Sequence, residues 1–395
     1  GLSVYMDGVR LNQPLGEVVS WDLIPQMVIS SSTLMPGSNP IFGLNTLGGA
    51  LSLQTKDGRN NAGTSVEAVY GADARRSIEF EHGGSRTTGL HWYVAGNLFA
   101  EDGWREDSPS DVRQLSAKDG RLHARGDISG TLAYADNALT GNGLQDLRFL
   151  DQDFASIYTR PDDTNTHSVF LNLAARQRLT DKTLLTANGY YRRIHTDTLN
   201  GDLNEASLDQ AVYQPTPAEQ SALTAAGYTG FPTSGANASN TPFPFWRCIA
   251  NVLLQDEPAE KCNGLVNRSD TLQHNAGVSG QLTRRDSVRG HANQLTMGGA
   301  YDHSNMGFTQ STEIGYLNPD RSITGTGAFA DGETGGDVDG EPFDTRVDLD
   351  GALSTWGAFA TNTLSIRSSV HITLSGRYNR THIDNTDNIQ PGGGP

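Results

Sequence analysis

The stretch PGSNPIFGLNTLGGALSLQTKDG, residues 36–58, holds five glycines and two prolines and then breaks into an alternating run. Gly37, Gly43, Gly48 and Gly49 permit tight turns with positive φ, which other residues enter only at a cost. Behind them Leu51, Leu53 and Thr55 fall on one face of an extended chain, and Ala50, Ser52 and Gln54 on the other. Why so many permissive residues gather near the start is answered by the rest of the chain.

Composition narrows the options. Of 395 residues 45 are Gly, only 19% are charged and 36% are hydrophobic, which is thin for a large packed core. Such a share suits apolar surface spread as a one-sided skin over many strands. The net charge of −16 argues against a nucleic-acid partner, because phosphate binding needs a basic surface. No run of 18 apolar residues is present, so no helix is expected to cross a membrane. The chain opens on GLSVYMDGVR, an alternating strand with a turn-prone Asp7-Gly8, and shows no signal peptide. Its GGGP end closes no element, and a fragment of a longer product is expected.

Past residue 58 the pattern has a period of two. In TLQHNAGVSGQLT (271–283) Leu272, His274, Ala276, Val278, Gly280 and Leu282 oppose Thr271, Gln273, Asn275, Gly277, Ser279 and Gln281. In VHITLSGRYNR (370–380) Val370, Ile372, Leu374 and Tyr378 oppose His371, Thr373, Ser375, Arg377 and Asn379. Similar segments near 64–71, 76–83, 89–99, 112–118, 128–135, 167–178, 183–195, 291–302 and 352–365 bring the total to about eleven strands. TPAEQSALTAAG (216–227), with Pro217 in a first turn and Gly227 as a stop, is the best helical candidate.

The connections alternate in length. Long ones fall near 100–111, 136–166, 196–270 and 303–351, and short ones near 84–88, 119–127, 179–182, 284–290 and 366–368. Only the first hairpin turn, 71–75, is short where a long one is due. A soluble sandwich has no reason to gather its long loops at one end. An outer-membrane barrel does, with short periplasmic turns, long external loops, an apolar face toward lipid and a polar face toward the lumen. Tyr190, Tyr191, Tyr301, Tyr378, Trp92 and Trp356 sit on these strands as candidates for interfacial girdles.

With a barrel in hand, VYMDGVRL (4–11), WDLIP (21–25) and the stretch ending at Gly58 resemble the C-terminal half of the plug of a TonB-dependent outer-membrane receptor. The matching pairs are Pro36-Gly37, Phe42-Gly43, Gly48-Gly49 and Thr55-Lys56. Leu34 and Met35 stand where the family carries an Arg ahead of the first glycine, so an ion-pair latch from that position is not expected. NALTGNGLQ (137–145) and NGYYRRIHTDTLNGD (188–202) also resemble segments of such barrels.

The resemblance implies an all-β architecture. Residues 1–58 would be half of a plug, and residues 59–395 the first half of an antiparallel transmembrane barrel, about eleven strands of a probable 22. It implies a place in the bacterial outer membrane, among lipid and lipopolysaccharide, and TonB as partner through a box upstream of residue 1. The expected activity is energised uptake of a scarce solute, a ferric siderophore before a cobalamin or an oligosaccharide. A passive porin-like channel and a soluble secreted β-rich adhesin or enzyme are the rivals.

Cys248 and Cys262 are the only cysteines, and an even count in an oxidising compartment implies a disulfide, with two free thiols or a metal pair as the other reading. Phe243, Phe245, Trp246 and Arg247 precede the first cysteine directly. They form either an aromatic and cationic platform for a ligand at the mouth or, preferably, the packing of the loop against itself. Asp337, Asp339, Glu341 and Asp348 approach a calcium-loop spacing, but Pro342 occupies the position that needs Gly, and a solvated loop is the better reading. The histidines lack metal-ligand spacing, and HExxH, GxSxG and Walker patterns are missing. No metal, no cofactor and no catalytic site is expected, and the chain does not read as an enzyme.

Overall fold

The computed structural model describes the chain except for residues 15–16, 38, 44–45, 209–211, 242–244, 330–336, 339–340, 343–345 and 390–395. Four short strands come first: β1 (Leu2–Met6), β2 (Val9–Arg10), β3 (Ile29–Pro36) and β4 (Gly49–Thr55). They form one sheet in the order β2-β1-β4-β3. Asp7 and Gly8 both have positive φ and close the β1–β2 hairpin, the role that an Asp-Gly pair serves in a two-residue turn. β1 runs parallel to β4, with Met6 opposite Leu53.

Eleven strands follow as one antiparallel meander. They are β5 (Gly63–Tyr70), β6 (Arg76–Ser85), β7 (Leu90–Glu101), β8 (Ser110–His123), β9 (Gly126–Thr140), β10 (Asp162–Thr180), β11 (Thr183–Leu203), β12 (Gly264–Val288), β13 (His291–Leu317), β17 (Val347–Arg367) and β18 (Val370–Asp387). Between β13 and β17 the chain adds β14 (Ile323–Phe329), paired to the far end of β13, and a small hairpin of β15 (Asp337–Val338) with β16 (Glu341–Pro342). All eleven alternating segments are strands. Turns at 86–89, 124–125, 181–182, 289–290 and 368–369 lie at one rim, and the connections 102–109, 141–161, 204–263 and 318–346 at the other.

Strand length departs from the sequence pattern. β12 has 25 residues and β13 has 27, whereas about 10 suffice to cross a bilayer. The outer half of β12 begins GLVNRSD, where Leu265 and Val266 are adjacent apolar residues and polar residues follow on both faces, so the apolar alternation stops there.

Burial is inside out. On one face of the wall the buried residues are polar, among them Gln114, Asn137, Ser168, Asn172, Gln273 and Asn275. The opposite face exposes large apolar side chains such as Leu173, Val278, Ile372 and Leu374, the last 78% exposed. Tyr191, Tyr301, Trp356 and Tyr378 belong to this outer face, and the Trp356 and Tyr378 ring centroids lie 5.4 Å apart. Tyr190 does not join the girdle: its hydroxyl points inward and donates to Asp302 at 2.8 Å.

The polar face wraps around the N-terminal sheet. Val4, Met6, Val9, Leu11 and Leu53 form a small core with Phe170 of β10, and Val28 packs on Tyr93 and Ala95 of β7. Wall residues from β6 to β18 touch the N-terminal segment that carries this sheet, which a flat wall cannot do, so the wall is curved.

Candidate functional site

The site is the seam between this sheet and the wall. At one end Asp7 is held by three donors from two elements. Thr55 gives its N–H at 2.9 Å and its hydroxyl at 2.5 Å, and Lys118 Nζ of β8 reaches the same carboxylate at 2.9 Å. Parallel pairing of β1 with β4 is what brings Asp7 beside Thr55. The neighbouring Lys56 donates to Glu81 of β6 at 2.7 Å, and Tyr93 donates to the same carboxylate at 2.5 Å.

Residues 56–62 join sheet to wall and are fastened at several points. A Cβ at Gly58 would stand 2.0 Å from the Trp92 carbonyl oxygen and 2.2 Å from that of Gly84, so only glycine fits there. Arg59 bridges Asp57, at 2.8 Å, to Asp127 of β9, at 3.0 Å, and Asp127 contacts buried His91 at 3.0 Å. Partial burial opposes ionisation of Asp57. The Arg59 guanidinium and the N–H groups of Arg59 and Asn60 outweigh it and bring the carboxyl down to about 2.

Farther along, the segment after β2 leans on wall side chains. Gln114 and Asn137 donate to the Asp22 carbonyl at 2.5 and 2.8 Å, Arg192 to the Leu11 carbonyl at 2.8 Å, and Gln273 to Gln13 at 3.1 Å. Phe42 packs on the Tyr5 ring with centroids 5.0 Å apart, and the Gly43 N–H donates to the Tyr5 hydroxyl at 2.9 Å. Arg377 of β18 donates to the carbonyls of Pro40 and Ile41 at 3.2 and 3.4 Å. A cavity of about 470 Å³ opens between the β1–β2 hairpin, residues 41–43 and the inner faces of β11, β12, β13, β17 and β18.

All eight motif residues lie in this sheet or its turns. Pro36 pairs with Gly49, and the Gly48 N–H donates to the Gly1 carbonyl at 2.9 Å. Gly37 and Gly49 have positive φ; Gly43 and Gly48 do not, and their need is for space instead. A Cβ at Gly48 would meet the Gly1 carbonyl oxygen at 2.7 Å, and one at Gly43 the Arg377 guanidinium at 3.3 Å.

The long connection 204–263 is a separate cluster at the opposite rim from the short turns. It holds α2 (Pro217–Ala225) and two helices the alternation did not show, α3 (Phe245–Leu254) and α4 (Pro258–Lys261). The preceding α1 (Leu147–Leu150) is a single turn in the 141–161 connection. Phe245, Cys248, Ile249 and Val252 fall at helical spacing, a signal that the brevity of α3 obscured. Cys248 and Cys262 are disulfide-bonded, and both are fully buried beside Ile314. Phe245 and Trp246 stack at 4.5 Å and pack with Phe231 and Tyr316. Arg247 lies on α3, and its carbonyl accepts from Asn251. Phe243 lies outside the described residues, as do Asp339 and the side chains of Asp337 and Glu341. Asp348 accepts from Asn388 at 3.0 Å. Among the described residues no group of three or more His, Cys, Asp or Glu is placed to hold a metal.

No protein-family model and no curated protein matches the sequence. Solved structures do. The unliganded ferric citrate transporter FecA superposes with TM-score 0.65 at 11% identity, over 98% of this chain and 48% of that one. The open form of the ferric-catecholate import receptor Fiu from E. coli K12 gives 0.65 at 13%, over 98% and 53%. The ferripyoverdine receptor of the outer membrane of Pseudomonas aeruginosa, bound to ferripyoverdine, gives 0.62 at 12%, over 97% and 46%. The chain has the TonB-dependent receptor fold. It spans about half the length of these receptors.

Proposed function

We propose that this chain is the plug-and-wall portion of an outer-membrane receptor that takes up an iron chelate, a ferric siderophore in the first place, with TonB supplying the work. Residues 1–58 act as plug and residues 59–395 as wall. The carrying observation is a folded sheet seated against the polar face of a curved, lipid-ready wall through side-chain contacts from β6 to β18. A porin-like channel keeps its lumen water-filled and has no use for such a stopper.

The seam suits a stopper that must hold and then shift. Among the described residues its contacts are mostly hydrogen bonds and ion pairs, which water can replace as they part, with two small apolar clusters, one around Leu53 and Phe170 and one around Val28 and Tyr93. Phe245, Trp246, Arg247 and Phe243 belong to the external loop and would shape the mouth, with self-packing their first task.

Deleting the gene and restoring it in full length, with growth on single iron chelates as sole iron source, tests the function. Loss of growth on at least one chelate, rescued by the full-length gene, is expected. Unchanged uptake of every chelate would remove iron transport, and recovery of the full-length product from the supernatant would favour the secreted rival.

A further inference from the structure

Beyond the aromatic girdle the wall stops being one-sided. β11, β12 and β13 stay paired past Tyr191 as far as Leu203, Gly264 and Gly315. On this extension both faces carry apolar residues. Ile314 has the parity of Asp302 and Ser304, which line the chamber between sheet and wall, so it faces the lumen. Leu199, Leu203, Val266 and Leu317 have the parity of Tyr191, Val278 and Tyr301 and face outward. Apolar residues on both faces of strands that stand clear of lipid call for two covers, and both are present.

The inner cover is the helical cluster of the 204–263 connection. The Cys248–Cys262 disulfide is buried beside Ile314, and Phe245 packs on Tyr316 with ring centroids 5.5 Å apart. Asn263 accepts from the Leu317 N–H at 3.1 Å, and Asn251 of α3 donates to Glu219 of α2 at 3.1 Å. The outer cover is a strap made by the β13–β14 turn and the chain entering β10. Ile323 is buried on Val266, Leu317, Leu199 and Leu203. It lies where two side chains are missing. A Cβ at Gly264 would stand 2.9 Å from the Ile323 side chain, and one at Gly201 would stand 3.0 Å from it and 2.6 Å from the Arg160 carbonyl oxygen. The Ile323 N–H donates to the Arg160 carbonyl and the Arg160 N–H to the Arg321 carbonyl, each at 3.0 Å. Arg321 donates to the Tyr158 carbonyl at 2.5 Å and lies over the Phe149 and Tyr158 rings. Arg105 adds the 102–109 connection to this strap through the carbonyls of Asn142, Gly143 and Ser156.

We propose that α2, α3 and α4 form a fixed half-roof on the lumen side of the mouth, clamped from the other face of the β11–β13 extension by the strap, and not a lid that swings. Segments that open on demand have few buried apolar contacts and hinge at a few free backbone positions. Here apolar side chains are buried on both faces of one sheet, and close packing on each face removes the bending that such a hinge requires. Because the two covers share their strands, loosening the outer one frees the inner one. The mouth therefore keeps one immobile side against which a solute is admitted. This rests on the fold alone and holds whatever the solute is.

The test uses the purified full-length receptor in detergent, spin-labelled through Ala225→Cys on α2 and Asn305→Cys on the outer face of β13, both exposed positions. Pulsed electron resonance on the ligand-free receptor should give one narrow distance distribution, and a broad or two-peaked one overturns the fixed roof. Ile323→Asp places a charge in the outer seat, on the face away from the helices. It should widen the distribution about twofold and speed amide exchange about tenfold in 318–323 and in α2 and α3 alike. Ile323→Ala should act in the same direction with a smaller effect, and it carries the test where the charged variant fails to reach the folded state. Faster exchange confined to 318–323, with α2 and α3 as protected as before, overturns the clamp. Unchanged uptake of every iron chelate in the deletion strain would instead sink the transport reading and leave the half-roof standing.

Discussion

Lys118 and Asp7, 111 residues apart, meet at 2.9 Å in the seam, with side chains only 13% and 12% exposed. One is on a wall strand and the other in the plug's first turn, so the pair reports directly on whether the plug is seated. Lys118→Met leaves the carboxylate buried with Thr55 alone, and should loosen the plug by about 3 kcal/mol. Faster protease cleavage within residues 1–55 of the full-length receptor is the readout. Adding Asp7→Asn should recover most of the loss, since no unpaired charge then remains. Equal cleavage of wild type and Lys118→Met would show that the pair does not hold the plug.

Gly58 is wedged between two carbonyl oxygens of the wall, and those are backbone atoms with little freedom to retreat. Gly58→Ala should therefore part the joint from β6 and β7 at a cost of about 2–3 kcal/mol, in the range of other overpacked sites. Gly130→Ala is the control, because a Cβ there meets nothing within 4 Å. The yield of folded receptor in the outer-membrane fraction compares them, and equal yields would contradict the close approach.

Asp57 gives the joint an acid limit. Its carboxyl titrates at about 2 in the fold, below the usual carboxylate value of roughly 4 in an open chain. Its contribution is therefore complete above pH 4 and is lost as the pH falls through about 2. Hydrogen exchange of the 56–62 amides, corrected for the intrinsic pH effect, should rise over that window. Asp57→Asn should be looser at neutral pH and lack this rise. A wild-type joint with protection unchanged down to pH 2 would speak against the Arg59 clamp.

The two faces of β12 should respond oppositely to charge. Val278 points to lipid and Gln281 lines the chamber side. Val278→Arg should cost about 2–4 kcal/mol in the bilayer, whereas Gln281→Arg should be tolerated. Folding of the two full-length variants into lipid vesicles, read against urea, decides it; similar penalties would mean the wall is facing the wrong way.

The disulfide closes a 14-residue separation around α3 and α4. Replacing both cysteines by serine should weaken this loop by about 3 kcal/mol in the chain-entropy account. Limited proteolysis should then cut within 204–263 first, with the wall strands intact.

Much of the fold was legible because lipid and lumen impose a rule at every second residue. Val278 and Leu374 face out and Gln273 and Arg377 face in for reasons written in their immediate neighbours. Loop alternation, the Cys248–Cys262 pair and the glycine-rich turns were readable for the same reason, each being a local requirement of backbone or compartment. The sequence pattern also stopped where its cause stopped, and so the outer halves of β12 and β13 were missed. α3 escaped as well, being too short for its period to stand out.

Only the tertiary structure decided the partners. That Tyr190 turns to Asp302 and not to the girdle, and that Arg377 fastens Pro40 and Ile41, depend on strand register and wall curvature. Alternation along a strand assigns a side chain to a face, but it carries no information about which residue a hundred positions away will stand opposite. Curling the wall around the N-terminal sheet supplies that information, and with it the contacts of the seam.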